Sequence, residues 1–261
     1  MRDTPIRPSG PPVRPTASPP IRPPIGNVHW QNSHRLIPSR YSESGTVLSD
    51  LTSDPEDLEN VVLLDGATND RVQAEQRGLI GISTFELVYG IPNAHIVNAA
   101  YTHASESGSR FSDSTRGAWY AADRQKASIA EVVYHKSRRL SEIIVPDEPG
   151  ERPARDVSTY DDWLANFRGD FHVLEPPEDF SQFLQPEPVP QCYASSQELA
   201  RRLLNEGSNG IVYPCVRYPD SKCLVCFRPA LVYNPRQSER LEITFTANKS
   251  GYDHRVRRVR F

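Results

Sequence analysis

At 261 residues, with 37% of them apolar, the chain is long enough for one large domain or two small ones and apolar enough to bury a core. Its formal charge of −3 comes from nearly balanced acidic and basic residues, which excludes a strong overall field toward nucleic acid or anionic membrane and points to a small-molecule or protein partner. No stretch of about 18 apolar residues is present, and prolines and arginines stand where a secretory leader needs an apolar segment, so a cytoplasmic location is expected.

Residues 1 to 26 hold nine of the 24 prolines and four arginines. That composition predicts a disordered, polyproline-like arm, with the domain proper running from 28 to 261. A spacing such as Pro12 to Pro15 is that of a docking motif or of a passive tail. Folded structure is expected from near Trp30, with a short strand at Arg35, Leu36 and Ile37 that Pro38 restricts. From Ser53 to Gly90 helical and loop signals mix; Ser53 with Glu56 has capping-box spacing, and Pro55 confines it to a first turn.

Gly117 to Ala122 reads as a buried strand, with Asp123 capping a helix that runs to about Tyr134. Acidic runs and prolines between 141 and 190, among them Pro176, Pro177, Pro186, Pro188 and Pro190, predict long loops. Ser195 and Glu198 predict a capping box, Leu199, Ala200, Leu203 and Leu204 one apolar stripe, and Gly207 the stop of the same helix. Strands follow at Ile211 to Tyr213, Cys223 to Phe227 and Leu241 to Phe245, and no internal repeat is visible. The basic ending from His254 to Phe261 is that of a solvated or edge-strand terminus, or of a contact patch for nucleic acid or an acidic partner protein.

Four cysteines, Cys192, Cys215, Cys223 and Cys226, are expected as thiols in a reducing cytosol. Cys223 and Cys226 spell C-x-x-C, yet in a strand they face opposite ways, and no second pair completes a zinc site, so no metal is expected. Ala127, Glu131 and His135 are four apart on one helix face. Either that face borders a cleft, where Ala127 leaves room for a ligand and Glu131 meets ribose hydroxyls or a developing cation, or Glu131 and His135 are a surface pair. Arg110, in the loop before the Gly-Ala-Trp-Tyr strand, can fork onto a pyrophosphate or be an ordinary solvated arginine. Tyr120 can stack on a planar base and bond a sugar, or fill the core. Cys215 and Arg217 emerge directly after a strand, where functional groups tend to sit, though Cys215 can equally be a small packed hydrophobe. Rossmann, Walker, zincin and nucleophile-elbow motifs are absent.

The ordered blocks resemble the long form of the RES family, named for an Arg, a Glu and a Ser. They are His-Arg-Leu-Ile-Pro-Ser-Arg-Tyr at 34–41, Ala-Thr-Asn-Asp-Arg at 67–71, Gly-Ser-Arg-Phe-Ser-Asp at 108–113, Trp-Tyr-Ala-Ala-Asp at 119–123 and Ala-Ser-Ile-Ala-Glu-Val-Val-Tyr-His at 127–135. A last block runs from Ala194-Ser195-Ser196 through Gly210 to Pro214 and on to Phe227-Arg228-Pro229.

The resemblance covers roughly 30 to 250 and implies an α+β fold like that of the ADP-ribosyltransferases, a split mixed sheet around an NAD cleft. It implies a toxin of a toxin–antitoxin pair that depletes NAD, neutralised by an Xre-type antitoxin through which alone it would meet nucleic acid, with self-association possible. NAD is then a substrate and no cofactor is implied. Carried over by position, Arg110 holds phosphate, Tyr120 contacts nicotinamide or ribose, Glu131 is the central acid and Arg35 the early arginine near the cleft. Cys215 stands where the family has its serine, and a thiol is larger and a weaker hydrogen-bond donor than a hydroxyl.

The implied reaction breaks the nicotinamide–ribose bond through an oxocarbenium-like state, and positioning with charge stabilisation suffices for it. Water, phosphate or a protein side chain can be the acceptor. Two further readings stand beside it: an ADP-ribosyltransferase acting on a protein, and a binding module inactivated at Cys215.

Overall fold

The computed structural model describes residues 21–42, 81–143 and 153–259. The expected helix start at Ser53 and the block at 67–71 therefore lie outside the described residues, as does most of the proline-rich arm.

The fold is α+β, built on one mixed seven-stranded sheet. Its strands are β1 (Ile25–Pro38), β2 (Trp119–Ala122), β3 (Arg155–Val173), β4 (Gly210–Pro214), β5 (Lys222–Cys226), β6 (Tyr233–Ala247) and β7 (Tyr252–Val259). The helices among the described residues are α1 (Ala94–Thr102), α2 (Gln125–Glu142) and α3 (Ala194–Asn205), with short 3-10 turns between elements. The sheet order is β1-β2-β5-β4-β3-β6-β7, and β1 also pairs with β3. The first five strands thus return on themselves, and β6 and β7 extend the sheet beyond them. Among the described residues only β3 and β4 pair in parallel, at His172↔Ile211 and Val173↔Val212.

Period-two burial explains the layers. Trp119, Ala121, Val212, Leu224 and Cys226 point to one side, where Trp163, Phe167 and Tyr101 join them. Tyr120, Ala122, Ile211, Tyr213, Cys223 and Val225 point to the other, against Leu199 and Leu203 of α3. Cys223 and Cys226 accordingly lie on opposite faces, as their strand spacing requires. Gly207, with φ +85°, ends α3 where a left-handed residue is needed.

Several expectations need correction. The region read as loops, 141 to 190, contains the 19-residue β3 at the centre of the sheet. Its pattern is broken by Asp161 and Asp162, both fully buried. Each carboxylate is compensated by remote residues: Arg240 bonds Asp161 through Nε (2.7 Å) and Nη2 (3.0 Å), and Ser42 donates to it as well. His34 Nδ1 and Gln125 Nε2 each lie 2.8 Å from Asp162. β1 begins at Ile25, before the expected boundary, and is 14 residues long because β3 pairs with nearly all of it, across a bulge between Trp30 and Ser33.

Neither predicted cap forms. α2 starts after Arg124 with no side-chain cap, because the Asp123 carboxylate instead accepts from Ser221 and from the Lys222 amide. α3 starts after Tyr193, and Ser196 bonds the Tyr193 carbonyl. α2 also runs two turns past Tyr134. The basic ending forms the edge strand β7, where Arg257 bonds Glu242 and Arg258 pairs with Glu239. Among the described residues no helix is long and apolar enough to cross a membrane.

Candidate functional site

β1 and β2 meet at a single register pair, His34↔Ala122, and part on either side of it. A cleft of about 620 Å³, within the usual range for a small-molecule site, opens at this seam between the strands, α2 and the loop around Arg110. Ser128 in the first turn of α2 donates to the His34 carbonyl at 2.7 Å, fixing the helix beside the seam.

The structure brings four of the expected residues, Arg35, Arg110, Tyr120 and Glu131, into the lining of this cleft. Arg35 lies over the Trp119 ring at 4.9 Å and donates to the Tyr120 carbonyl at 3.3 Å. Burial holds its guanidinium down to about 10, still cationic at neutral pH. Arg110 is 7% exposed; its Nη1 donates to the carbonyls of Phe183 (3.3 Å) and Gln185 (2.8 Å), and the guanidinium lies 5.0 Å over Tyr193. The loop that carries it turns at Gly108, where φ is +68° and a Cβ would stand 2.2 Å from the Ser112 carbonyl oxygen.

Tyr120 presents its ring to the cleft, but its hydroxyl is already engaged: it accepts from the Phe111 amide at 3.0 Å and lies 3.0 Å from the Ser112 hydroxyl. Burial pushes that phenol up to about 12. The hydroxyl therefore braces the Arg110 loop, and the expected bond to a sugar has to compete with two internal partners.

Glu131 has a side chain 32% exposed. Burial raises its carboxyl above the usual 4.5, against the opposing pull of the Arg217 and Arg110 guanidiniums and the Cys215 thiol. Cys215, just beyond β4, places Sγ 3.8 Å from Glu131 Oε1. The adjacent Cys223 thiol holds the Cys215 thiol below its usual value, while contact with Cys215 and then burial push Cys223 up. Glu131, Cys215 and Cys223 are the side chains here able to hold a metal, their ligand atoms lying within 4.8 Å of one another.

His135 lies one turn along α2, 3.7 Å from Glu131. Burial first, then Arg217, Arg138 and Arg110, push it down to about 4, so at neutral pH this contact is not an ion pair. Ala127, expected to leave room for a ligand, is instead fully buried in the apolar cluster under the helix. Ser128 takes the place beside the cleft.

Sequence reasoning missed Arg138, Arg139 and Tyr193 in the lining. Arg217, singled out after its strand, lies with its guanidinium 3.4 Å over the Tyr134 ring. The arginines had a signal: with α2 read to Glu142, positions 138 and 139 continue the face of 131 and 135 at the next two helical steps. Tyr193 had none, since an irregular turn delivers it. Together the cleft has more guanidiniums, those of Arg35, Arg110, Arg138 and Arg139, than carboxylates, those of Glu131 and Glu142, in its wall. This arrangement can hold an anionic ligand and face a developing cation.

The family model for the RES domain matches residues 87–246. That stretch includes Arg110, Tyr120, Glu131 and Cys215, while Arg35 is supplied by β1 from outside it. A search of curated proteins finds no match. With most of the sheet, the helix of Glu131 and more than half of its length inside the matched stretch, the chain belongs to the RES-domain family.

Proposed function

We propose that the cleft binds NAD and breaks the bond between nicotinamide and ribose. The observation that carries this reading is the convergence of Arg35, Arg110, Tyr120 and Glu131, from four separate segments, on one cavity of about 620 Å³. The arginines suit the pyrophosphate, the tyrosine ring offers a face for stacking, and the Glu131 carboxylate faces the reacting ribose carbon. As the C1′–N bond breaks, its electron pair leaves with the pyridinium nitrogen, giving neutral nicotinamide and an oxocarbenium ion. The acceptor adds a lone pair to that carbon and releases its proton to solvent; water or phosphate are the acceptors proposed. In keeping with the family, the protein acts as a toxin held in check by an Xre-type antitoxin that plugs the cleft.

Chromatography of NAD incubated with the purified protein, with and without phosphate and beside Glu131→Ala, tests the reading. Free nicotinamide appearing only with the unaltered protein is the expected result, and intact NAD in every tube overturns it. Cys215 in place of the family serine, together with the engaged Tyr120 hydroxyl, favours a second reading, a protein that binds NAD or a partner without turnover. Transfer of ADP-ribose to a protein is distinguished by a labelled band while bulk NAD hardly falls.

A further inference from the structure

We propose that Glu131, Cys215 and Cys223 form a three-ligand site for a soft divalent cation of the Zn²⁺ class at the floor of the cleft. The carboxylate oxygen and the two Sγ atoms lie within 4.8 Å of one another, and Cys215 Sγ is 3.8 Å from Glu131 Oε1. With Zn–S near 2.3 Å and Zn–O near 2.0–2.2 Å, tetrahedral ligand atoms stand roughly 3.5–3.8 Å apart. One edge of that tetrahedron is thus already in place, and about 1 Å of side-chain rotation closes the others.

The three ligands come from separate elements that the fold holds rigidly. Cys215 and Cys223 stand on the two arms of the β4–β5 hairpin, fixed by the pair Tyr213↔Cys223 and by the Cys215 amide bonding the Ser221 carbonyl at 2.8 Å. Glu131 descends on them from α2. Cys223 and Glu131 both border the cleft, so an ion has an entry path and a water can take the fourth position, the pattern of sites with three protein ligands. Two thiolates and a carboxylate leave one negative charge on a bound dication, and the Arg110 and Arg217 guanidiniums that already act on Glu131 face it.

Binding forms two metal–sulfur bonds and one metal–oxygen bond. The two S–H protons go to solvent, so the affinity rises with pH. A serine at 215 would supply no soft ligand, so the site belongs to this chain's own departure from the family pattern. A bound ion would also occupy the carboxylate that NAD cleavage uses. That inhibitory consequence rests on the proposed function, whereas the site itself does not.

The test is titration of the reduced, full-length protein with Co²⁺. One equivalent is expected to give tetrahedral ligand-field bands with thiolate-to-cobalt absorption, displaced by Zn²⁺ with release of two protons. Cys215→Ser, Cys223→Ser and Glu131→Gln should each weaken binding by at least the roughly 10–100-fold that even outer-shell changes cost. Cys192→Ser, outside the cluster, should leave it intact. Circular dichroism checks that each variant is folded, and Glu131→Gln changes no buried thiol.

No thiolate–cobalt absorption in the folded protein, or absorption that survives Cys215→Ser, overturns the site. In parallel, Zn²⁺ should block nicotinamide release by the unaltered protein, and a chelator should restore it. Cobalt bound without any NAD cleavage refutes the proposed function and leaves the site standing. Cleavage indifferent to Zn²⁺, with no cobalt spectrum, does the reverse.

Discussion

Glu131→Gln separates what this residue contributes to chemistry from what it costs the fold. The substitution keeps shape and removes one charge. A carboxylate about 4 Å from a unit positive charge, at the effective dielectric of about 20 that suits a partly buried site, contributes about 4 kcal/mol. With the side chain 32% exposed, solvent reduces that figure, and a loss of roughly 10²–10³-fold in kcat at little changed KM is expected.

Stability should move the other way. The native-state pKa of Glu131 is raised above 4.5, so the folded protein loses stability as pH rises from 4.5 through that value, and at pH 7 the charged form carries the desolvation cost. Glutamine carries no such cost, and the contacts it forgoes are a 3.7 Å approach to a neutral His135 and a 3.8 Å thiol contact. Thermal unfolding at pH 7 should therefore show a Tm equal to or above that of the unaltered protein, with the difference vanishing below pH 4.5. A variant that keeps more than about a tenth of the activity, or one whose Tm falls by several degrees at pH 7, refutes the reasoning.

The same raised carboxyl sets the acid limb of the kcat/KM profile above pH 4.5, because only the carboxylate faces the cation; a limb below that value would contradict it. His135, held down to about 4, is neutral above pH 5, so His135→Gln should leave the shape of that profile unchanged through neutrality. Cys215→Ser supplies the stronger donor beside Glu131 and should raise kcat/KM severalfold in NAD cleavage; unchanged or lower activity would show that Cys215 does not stand in for the family serine. Leu203→Ala, at a fully buried position between α3 and the sheet, should cost about 2–5 kcal/mol, read as a lowered denaturant midpoint at unchanged slope.

How much of this was legible in the chain depends on how local each cause is. β4, β5 and the core of β6 were readable because successive residues such as Ile211 and Val212 serve opposite faces of the sheet. α3 was readable because its stripe of Leu199, Ala200 and Leu203 is self-contained. β3 was not, because Asp161 and Asp162 look like loop residues until Arg240, His34 and Gln125 arrive to compensate them. The same holds for Asp123, a good cap by type, whose carboxylate is claimed by the start of β5. Arg110, Tyr120 and Glu131 could be picked out by block order, and the structure gathers them in one cleft with Arg35. The further arginines depended on the true length of α2, and Tyr193 on a turn with no pattern of its own.

The return of the sheet on itself carries a consequence for when the cleft exists. β1 finds its long partner in β3 more than a hundred residues later, as in the His34–Asp162 pair separated by 128 positions. The seam with β2 is backed by β5, which ends at Cys226. Pairing so distant in sequence is slow to form, since loop closure must precede any gain from contact. During synthesis the N-terminal strand waits for its long partner until β3, which ends at Val173, has been made. The cavity therefore cannot be complete before β5 is made, because a chain stopped before β5 lacks the strand that pairs with β2 along its whole length.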